Sequence, residues 1–329
     1  MRLQGAAGAK SGIDIAGAFQ ARVRYDEPMS AHTSWRAGGN AQVYFAPRDA
    51  DELAAFLRAL PAAVPVYWVG LGTNLLVRDG GICGVVIATP GAFTRIERRS
   101  QQRVHCEASV PCARIARCCA NWELSAGEFF SGIPGTLGGA LAMNAGAFGD
   151  ETWRHVIAVE TISRSGQRRT RQAAEYRVGY REVALAAASA TAAESGSPAS
   201  PAQPEWFLGA ELQFDAGTAD RAALQALMQR RRETQPLGAW SCGSVFKNPP
   251  GDHAARLIEA AGLKGHRIGD AVVSEKHANF IINQGHAGAD ELERLIRHVQ
   301  AVVQQVHGIT LEPEVRIIGE SAAGAGGVH

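Results

Sequence analysis

A glycine-rich run from Ser131 to Gly146 constrains this chain more than any other segment. Five of its sixteen residues are glycine, and only Met143 has a long flexible side chain, so the run offers too little side-chain volume to fill a hydrophobic core. Glycine allows close backbone approach and positive φ angles. Convergent backbone N–H groups bind phosphate and pyrophosphate. Because Ile133 and Leu137 interrupt the glycines, we favour a fixed anion-binding loop over a flexible linker.

A second glycine turn, Gly70-Leu-Gly-Thr-Asn-Leu, directly follows an apolar run at residues 64–69 that predicts a buried strand. A strand that ends in paired glycines and small polar residues resembles the phosphate-binding end of a dinucleotide fold. The spacing G-x-G-x-x-G is absent, because Leu75 stands where the third glycine would be. The chain therefore lacks the Rossmann fingerprint, and the two glycine loops together predict a different dinucleotide cavity.

Charge and composition exclude several classes of function. The 33 Lys and Arg residues nearly balance the 32 Asp and Glu residues, so the net charge is +1 and no global field would attract nucleic acid or an anionic membrane. The six cysteines show no zinc-ligand spacing, and free thiols are typical of a reducing cytoplasm. No segment is apolar enough to span a bilayer. We expect a cytoplasmic monomer with no metal site and no nucleic-acid or membrane partner.

A chain of 329 residues is expected to form two or three domains. Residues 1–20 are small and Gly/Ala-rich and predict a poorly ordered extension, and residues 320–329 predict a loose tail. Apolar periodicity and capping residues predict the regular elements between them. Helices are predicted near residues 49–60, 113–124, 220–235, 253–261 and 290–307, and strands near 41–45, 64–69, 84–88, 93–97, 103–110, 156–163, 167–171, 206–214, 272–274, 279–283 and 310–318.

Residues 184–205 consist almost entirely of Ala, Ser, Thr, Pro and Gly. Such a segment cannot bury enough apolar surface to offset the entropy lost on ordering, so we predict a disordered insertion. The alternative is a lid over the site, which the lack of aromatic or charged anchors disfavours.

Five spaced motifs occur in order along the chain: His32-Thr-Ser-Trp-Arg-Ala-Gly-Gly, Gly70-Leu-Gly-Thr-Asn-Leu-Leu, the run from Ser131 to Gly146, Gly243-Ser-Val-Phe-Lys-Asn-Pro and Leu311-Glu-Pro-Glu-Val-Arg. Together they resemble the UDP-N-acetylenolpyruvoylglucosamine reductase family, the flavoenzymes of peptidoglycan precursor synthesis. The resemblance covers residues 30–319 apart from the insertion. Five motifs in order are specific in a way that no single motif is.

This resemblance implies an α+β fold. A two-subdomain FAD-binding region of the vanillyl-alcohol-oxidase/PCMH type would cover residues 21–89 and 90–217, and a smaller α+β domain that binds the UDP-sugar would cover residues 218–319. The implied activity is that of a UDP-N-acetylmuramate dehydrogenase, which reduces UDP-N-acetylglucosamine enolpyruvate to UDP-N-acetylmuramate. FAD and NADPH are the implied cofactors.

The resemblance also implies roles for single residues. Hydride would pass from NADPH through the flavin to C3 of the enolpyruvyl group, and the negative charge left at C2 then needs stabilisation and a proton. Ser244 is the implied proton donor, Glu314 assists at the substrate carboxylate, and Lys247 and Asn248 are expected to contact phosphate or sugar. The implied FAD contacts are Gly70, Leu71, Gly72, Thr73, Asn74, Leu75, Ser131, Gly132, Ile133, Pro134, Gly135, Thr136, Gly138, Gly139, Asn144 and Gly146.

Two arginines compete for the role of clamping the substrate carboxylate. The family pattern has Tyr-Arg followed after one residue by Ser, and Val178-Gly-Tyr-Arg fits it best, which favours Arg181. Val183 stands where the pattern has Ser, and Tyr176 followed by Arg177 is the competing match. One arginine must meet a developing dianion, whichever of the two supplies it.

Three further features have competing interpretations. Leu71 replaces a residue that is commonly glycine in the family, which leaves the loop's N–H donors in place. His277 fits either a site role or a core histidine with a satisfied hydrogen bond. Arg230, Arg231 and Arg232 lie at the end of a predicted helix and indicate a solvated helix end.

Two other function classes are weighed against the reductase. A related FAD oxidase would use molecular oxygen on an alcohol, but the last hundred residues match the UDP-sugar domain. A flavin-binding regulator without catalysis would not need Ser244 and Glu314. Taken singly, Ser244 is compatible with a turn cap and Glu314 with a surface strand position, so the joint pattern carries the functional interpretation.

Overall fold

The structure, a computed structural model, describes residue 15 and residues 17–186, 204–217 and 221–322. Strands and helices are mixed along this part of the chain, which gives the α+β fold that the sequence predicts. The helices are α1 (Ala50–Ala59), α2 (Cys112–Asn121), α3 (Leu137–Met143), α4 (Arg221–Thr234), α5 (Ala254–Ala260) and α6 (Ala289–His307), and the strands are β1 (Val23–Pro28), β2 (Asn40–Phe45), β3 (Val66–Val69), β4 (Leu75–Val77), β5 (Ile82–Ala88), β6 (Ile96–Arg98), β7 (Arg103–Glu107), β8 (Leu124–Ser125), β9 (Gly146–Ala147), β10 (Asp150–Glu151), β11 (Val156–Ser163), β12 (Arg168–Gln172), β13 (Tyr176–Gly179), β14 (Glu182–Leu185), β15 (Glu205–Gln213), β16 (Asp215–Ala216), β17 (Arg267–Ile268), β18 (Ala271–Val273), β19 (Ile281–Asn283) and β20 (Arg316–Ile318).

The first unit is a four-stranded sheet in the order β1-β2-β5-β3. Strands β2 and β3 pair parallel to β5, and β1 pairs antiparallel to β2. The Asp49 side chain accepts a hydrogen bond from the Glu52 N–H and so caps α1, whose apolar face buries Phe56 against Phe45 of the sheet. Because β3 ends at Val69, the first glycine turn lies at the carboxyl edge of this sheet.

The second unit is a five-stranded sheet in the order β12-β11-β15-β7-β6, in which every pairing is antiparallel. The strands predicted near residues 93–97 and 103–110 pair as β6–β7, and those predicted near 156–163 and 167–171 pair as β11–β12. Helices α2 and α3 share its core. Leu137, Ala140 and Leu141 of α3 are buried there, so the glycine-rich run, which has too little side-chain volume to fill a core by itself, contributes its central turn to the core of the second unit.

The third unit packs α5 and α6 on a three-stranded sheet in the order β17-β18-β19. The amphipathic helix predicted at residues 290–307 is α6, and it ends at Gly308, whose φ of 70° lies in the left-handed region that favours glycine. Leu292, Leu295 and Val299 on one face of α6 are buried in this core. In the part of the chain that the structure describes, no helix combines the length and apolar character needed to cross a membrane.

Residues 35–79, although early in the chain, make direct contacts with the third unit. Trp35 is fully buried in the third core; its indole Nε1 donates to the Ile281 carbonyl at 2.8 Å, and Asn283 Nδ2 donates to the Trp35 carbonyl at 2.8 Å. Strand β4 pairs parallel with β20. The Asp79 carboxylate accepts from the N–H groups of Ala289 and Asp290 at the start of α6. These contacts fix the third unit against residues 35–79 of the chain, which include the first glycine turn.

The predicted strand at residues 310–318 is regular only at its end. Regular pairing is confined to β20, and residues 311–315 instead follow the loop that contains Val245. Pro313 forms one isolated bridge with Phe246, because proline has no N–H for a continuous ladder. This irregular stretch presents Glu314.

The structure orders residues at three boundaries of the segments that the sequence predicts to be disordered. Phe19 packs edge-to-face on Phe56 at 5.3 Å, Ala184 and Leu185 belong to β14, and Glu320 exchanges backbone hydrogen bonds with Gly80 and Gly81. Short apolar or extended stretches at the edges of low-complexity segments are therefore ordered by tertiary pairing. The rest of the predicted extension, insertion and tail (residues 1–14, 16, 187–203 and 323–329) lies outside the described residues.

Candidate active site

A cavity of about 1170 Å³ opens where the three units meet. Its wall contains Gly70–Leu75 from the first unit, Gly132–Thr136 from the second and Cys242–Ser244 from the third. A pocket for one drug-sized ligand measures roughly 300–1,000 Å³. The cavity therefore has room for a dinucleotide together with part of a second ligand.

The first glycine loop presents its backbone to the cavity. Gly72 has a φ of 64°, and a Cβ there would collide with the His32 carbonyl oxygen. The Gly72 carbonyl accepts from the Ser34 N–H at 3.1 Å, so the His32 motif supports this loop from behind. The N–H groups of Gly70 to Asn74 donate to no acceptor among the described residues, which leaves them available for an anion.

The second glycine loop touches the first across the cavity. Gly135 has a φ of 120°, and a Cβ there would meet the Thr73 hydroxyl at 3.0 Å, while that hydroxyl donates to the Pro134 carbonyl at 3.3 Å. The Gly135 carbonyl accepts from the Cys112 N–H at 3.0 Å. The loop is thus fixed rather than a flexible linker. At Gly139 a Cβ would meet no described atom within 4 Å, so this face of α3 is open to the cavity.

All but two of the residues predicted to contact FAD line this cavity. The exceptions are Ser131, whose hydroxyl donates to the Glu128 carbonyl at 2.7 Å, and Asn144, which is only 1% exposed. Asn144 Nδ2 donates to the Gly179 carbonyl at 3.1 Å, and its Oδ1 accepts from the Trp153 N–H at 3.1 Å. The structure gives these two side chains internal partners instead.

Arg181 and Glu314 meet in the cavity as a nearly buried ion pair. The Arg181 Nε donates to Glu314 Oε1 at 2.7 Å, and the two side chains are 18% and 15% exposed. The Arg181 Nη1 also donates to the Asn144 carbonyl at 3.2 Å, and its guanidinium lies over the Tyr180 ring. Burial raises the pKa of the Glu314 carboxyl above its ordinary value, although Arg181 and Lys247 oppose the shift.

The competing arginine lies elsewhere. Arg177 pairs with Glu182 at 3.2 Å, its side chain is 73% exposed, and it does not line the cavity. An exposed pair of this kind contributes little to stability. Of the two arginines, the geometry brings Arg181 to Glu314.

Ser244 lies on the cavity wall in a loop that is held from both sides. The Val245 N–H donates to the Asn279 carbonyl at 2.9 Å, and the buried Asn279 side chain bonds both the N–H and the carbonyl of Phe246. On the other side, the Glu314 N–H donates to the Val245 carbonyl at 2.7 Å. The Ser244 hydroxyl has no hydrogen-bond partner among the described residues, so it is free to act on a ligand.

The predicted sugar and phosphate contacts are engaged in other interactions. Lys247 Nζ bonds Glu312 at 2.6 Å, and Asn248 Oδ1 accepts from the Ala254 N–H at 3.1 Å, at the start of α5. Neither residue lines the cavity. Asn248 lies outside α5, whose N-cap position is His253, and satisfies one of the N–H groups that the first turn leaves without a partner, while Lys247 lies near enough to Glu314 to lower its pKa.

His277 has the surroundings of a core histidine. Its Nδ1 accepts from the Asn279 N–H at 3.3 Å, and its ring packs edge-on against Phe280 at 4.9 Å. Burial lowers the pKa of His277 below its ordinary value. Of the two interpretations, the structure favours the core histidine.

Two arginines that were not predicted at the site from the sequence, Arg231 and Arg316, add positive charge to the cavity wall. Arg231 was predicted to lie at a solvated helix end, but it is half-buried, lines the cavity and donates to the Gly132 carbonyl and to Gln235 Oε1. Arg316 also lines the cavity. Neither arginine pairs with a carboxylate among the described residues. The only signal in the sequence was the cluster of three arginines, which does not reveal a contact with a residue 99 positions away.

The donor set fits an anionic dinucleotide such as FAD. Among the described residues, the N–H groups of Gly70 to Asn74 have no acceptor and Arg231 and Arg316 pair with no carboxylate. With the open face at Gly139 they provide positive potential and space for a pyrophosphate. Within residues 17–186, 204–217 and 221–322, no three His, Cys, Asp or Glu side chains are grouped as a metal site would require.

Known proteins resemble this chain along most of its length. A family profile described as "UDP-N-acetylenolpyruvoylglucosamine reductase, C-terminal domain" matches residues 235–318, and one described as "FAD binding domain" matches residues 41–171. A UDP-N-acetylenolpyruvoylglucosamine reductase from Alkalilimnicola ehrlichii is 52% identical over 91% of this chain and 95% of that protein. Its counterpart from Methylococcus capsulatus is 50% identical over 90% of this chain and 93% of that protein.

A solved structure is also similar. The crystal structure of UDP-N-acetylenolpyruvylglucosamine reductase from Thermus caldophilus superposes with a TM-score of 0.71 at 29% sequence identity, covering 90% of this chain and 99% of that chain. The match therefore includes all three units of the fold.

Proposed function

The chain belongs to the family of UDP-N-acetylenolpyruvoylglucosamine reductases, and on that premise we propose that it reduces UDP-N-acetylglucosamine enolpyruvate to UDP-N-acetylmuramate. NADPH is the proposed electron donor, FAD the cofactor and the cytoplasm the location of this step of peptidoglycan precursor synthesis. One observation carries the proposal: the Arg181–Glu314 pair and the free hydroxyl of Ser244 share one cavity with both glycine loops.

The two glycine loops are the proposed holders of FAD. Gly70–Asn74, Gly135 and Thr136 line the cavity, and their N–H groups donate to no acceptor in the part of the chain that the structure describes; such groups neutralise a pyrophosphate. Arg231 and Arg316 add positive charge at the same wall. When bound, FAD supplies the route by which hydride from NADPH reaches C3 of the enolpyruvyl group.

Arg181 is the proposed clamp for the substrate carboxylate. A guanidinium has five N–H donors, and two of them are used, on Glu314 Oε1 and on the Asn144 carbonyl, so three remain. As hydride reaches C3, negative charge develops at C2 and spreads into the adjacent carboxylate. A fixed cation beside that carboxylate stabilises the charge without reorganising during the reaction.

Ser244 is the proposed donor of the proton that C2 receives. Its hydroxyl has no partner among the described residues, and Asn279 holds the backbone of the two residues that follow it, so the loop that carries the hydroxyl is fixed at the cavity wall. A serine hydroxyl is a very weak acid, and it suffices because a carbanion-like centre is a strong base.

Glu314 is proposed to act through Arg181 and at the substrate carboxylate. Its pKa is raised by burial, so its carboxyl accepts a proton more readily than an exposed glutamate does. The ionised Glu314 carboxylate keeps the Arg181 guanidinium aligned until the substrate arrives. The Glu314 carboxyl then polarises the intermediate that carries negative charge at C2.

The proposal is tested by anaerobic turnover. The flavin-loaded protein is mixed with NADPH and UDP-N-acetylglucosamine enolpyruvate, and we expect NADPH to be consumed in step with a product that has gained two hydrogens. NADPH oxidation that begins only when air is admitted, with no reduced sugar nucleotide formed, would contradict the proposal. A flavin that NADPH does not reduce would indicate a protein that only binds flavin.

A further inference from the structure

Asn144 was expected to contact the cofactor, but its hydrogen bonds lead to the catalytic arginine. It ends α3 in the left-handed region, with φ 41° and ψ 52°. Its Nδ2 donates to the Gly179 carbonyl at 3.1 Å, and its own carbonyl accepts from Arg181 Nη1 at 3.2 Å. Asn144 therefore binds both the backbone before Arg181 and the Arg181 guanidinium.

Arg181 needs such support because its backbone is strained. It lies in the two-residue turn between β13 and β14, next to the paired residues Gly179 and Glu182, and its φ is 58°. A non-glycine residue in the left-handed region is disfavoured. Such residues persist where surrounding contacts fix them, often at functional sites.

The side chain of Asn144 is not available to a cofactor. It is 1% exposed and does not line the cavity, and its Oδ1 accepts from the Trp153 N–H at 3.1 Å. Both ends of its amide are therefore used within the protein, one on the hairpin of Arg181 and one on the second unit.

The other glycine loop holds the partner of Arg181 in a comparable way. Asn74 Nδ2 donates to the Glu314 carbonyl at 3.1 Å, and the Asn74 carbonyl accepts from the Arg316 N–H at 3.1 Å. Each glycine loop thus contributes one asparagine that binds the segment carrying one member of the Arg181–Glu314 pair.

We propose that Asn144 is a positioning residue for Arg181, so that the loop that holds the dinucleotide also sets the arginine that binds the substrate carboxylate. The inference rests on the proposed function for the role of Arg181. Asn144 touches neither cofactor nor substrate in this account; it acts through the turn that carries Arg181.

Two variants of Asn144 separate its hydrogen bonds. Asn144→Asp keeps an acceptor for the Trp153 N–H and loses only the donor to Gly179, while Asn144→Gly keeps the left-handed backbone and loses both side-chain bonds. Asn121→Asp is the matched control, because Asn121 is an exposed residue at the end of α2. If Asn144→Gly does not fold, Asn144→Asp decides the question.

Two readouts distinguish positioning from general damage. We expect both Asn144 variants to raise the KM for the enolpyruvyl substrate about tenfold, the equivalent of one lost hydrogen bond, with a smaller fall in kcat. The FAD dissociation constant and the rate of flavin reduction by NADPH should match wild type. Hydrogen–deuterium exchange should accelerate in residues 176–185, and Asn121→Asp should change none of these quantities.

The opposite pattern would overturn the inference: weaker FAD binding in step with the rise in KM, or unchanged KM and unchanged exchange in the hairpin. If wild type itself does not reduce the substrate, the proposed function has failed. The exchange measurement and the FAD dissociation constant then still decide whether Asn144 holds the turn of Arg181, because neither depends on turnover.

Discussion

Arg181 and Glu314 form a 2.7 Å ion pair across 133 positions of the chain. The pair joins the β13–β14 hairpin to the irregular segment before β20, directly beside the loop of Ser244. Breaking a nearly buried pair by removing one partner leaves a charge uncompensated. Its position in the cavity makes it the most informative target for substitution.

Replacing Arg181 with Lys should separate charge from geometry. Lysine keeps the positive charge, but its ammonium is a single point of donors without the planar fork by which Arg181 reaches Glu314 through Nε and the Asn144 carbonyl through Nη1. We expect kcat/KM for the enolpyruvyl substrate to fall about a hundredfold, measured by steady-state NADPH oxidation.

Arg177→Lys is the matched control for that change. Arg177 lies in the same hairpin, and its exposed pair with Glu182 should tolerate lysine without loss of activity. Equal losses in the two variants, or a larger loss for Arg177→Lys, would show that the wrong arginine has been assigned.

Ser244→Ala should divide the reaction into its two halves. Removing the hydroxyl leaves the flavin route intact, so NADPH should reduce the flavin at the wild-type rate. Reduction of the enolpyruvyl substrate should slow by about 10²–10⁴-fold, the usual contribution of a positioned proton donor. Ser241→Ala, three residues earlier in the chain, should leave both half-reactions unchanged; substantial turnover in Ser244→Ala would exclude it as the donor.

Glu314→Gln should change how stability depends on pH. Burial raises the Glu314 pKa in the folded state, so the folded protein binds this proton more tightly than the unfolded chain does. The associated stability is fully present below the ordinary carboxyl pKa and is lost as pH rises through the raised folded value. The free energy of unfolding of wild type should therefore fall relative to that of Glu314→Gln across this window, as denaturant titrations at a series of pH values would show. A difference that stays constant with pH would contradict the raised pKa.

Alanine at two of the glycines should change different properties of the protein: FAD affinity at Gly139 and stability at Gly72. At Gly139, alanine fits the helix and improves its propensity by roughly 0.5–1 kcal/mol, but its Cβ points into open cavity space, so FAD affinity should fall while the thermal midpoint holds or rises. At Gly72, a Cβ would collide with the His32 carbonyl at a positive φ, so Gly72→Ala should destabilise the protein by more than about 1 kcal/mol. Fluorescence titration with FAD and calorimetry measure the two quantities; tight FAD binding by Gly139→Ala would contradict the assignment of this face.

The regular elements were largely predictable from the sequence because their signals are local. The apolar stripe and Gly308 predict α6, which is confirmed. Either Asp49 or Asp51 is predicted to cap α1, and the structure selects Asp49. The segment 310–315 has strand-like alternation, but its partner is the Ser244 loop rather than a strand, so no local signal reveals its irregular form.

The site was predictable only where a motif carries it. Ser244 and Glu314 follow from the family resemblance, and the structure places both at one cavity. Asn279, Arg231 and the partners of Asn144 depend on contacts between residues 33, 99 and 35 positions apart. Periodicity and composition report nothing about such pairings, because only the folded chain brings these residues together.

The most direct test of the central claim is a single anaerobic turnover followed in the flavin absorbance. The flavin-loaded protein is first reduced with one equivalent of NADPH and then mixed with UDP-N-acetylglucosamine enolpyruvate in a stopped-flow instrument. We predict rapid recovery of the oxidised flavin spectrum and formation of UDP-N-acetylmuramate, with no recovery when UDP-N-acetylglucosamine replaces the substrate. A flavin that stays reduced until oxygen is admitted would contradict the account.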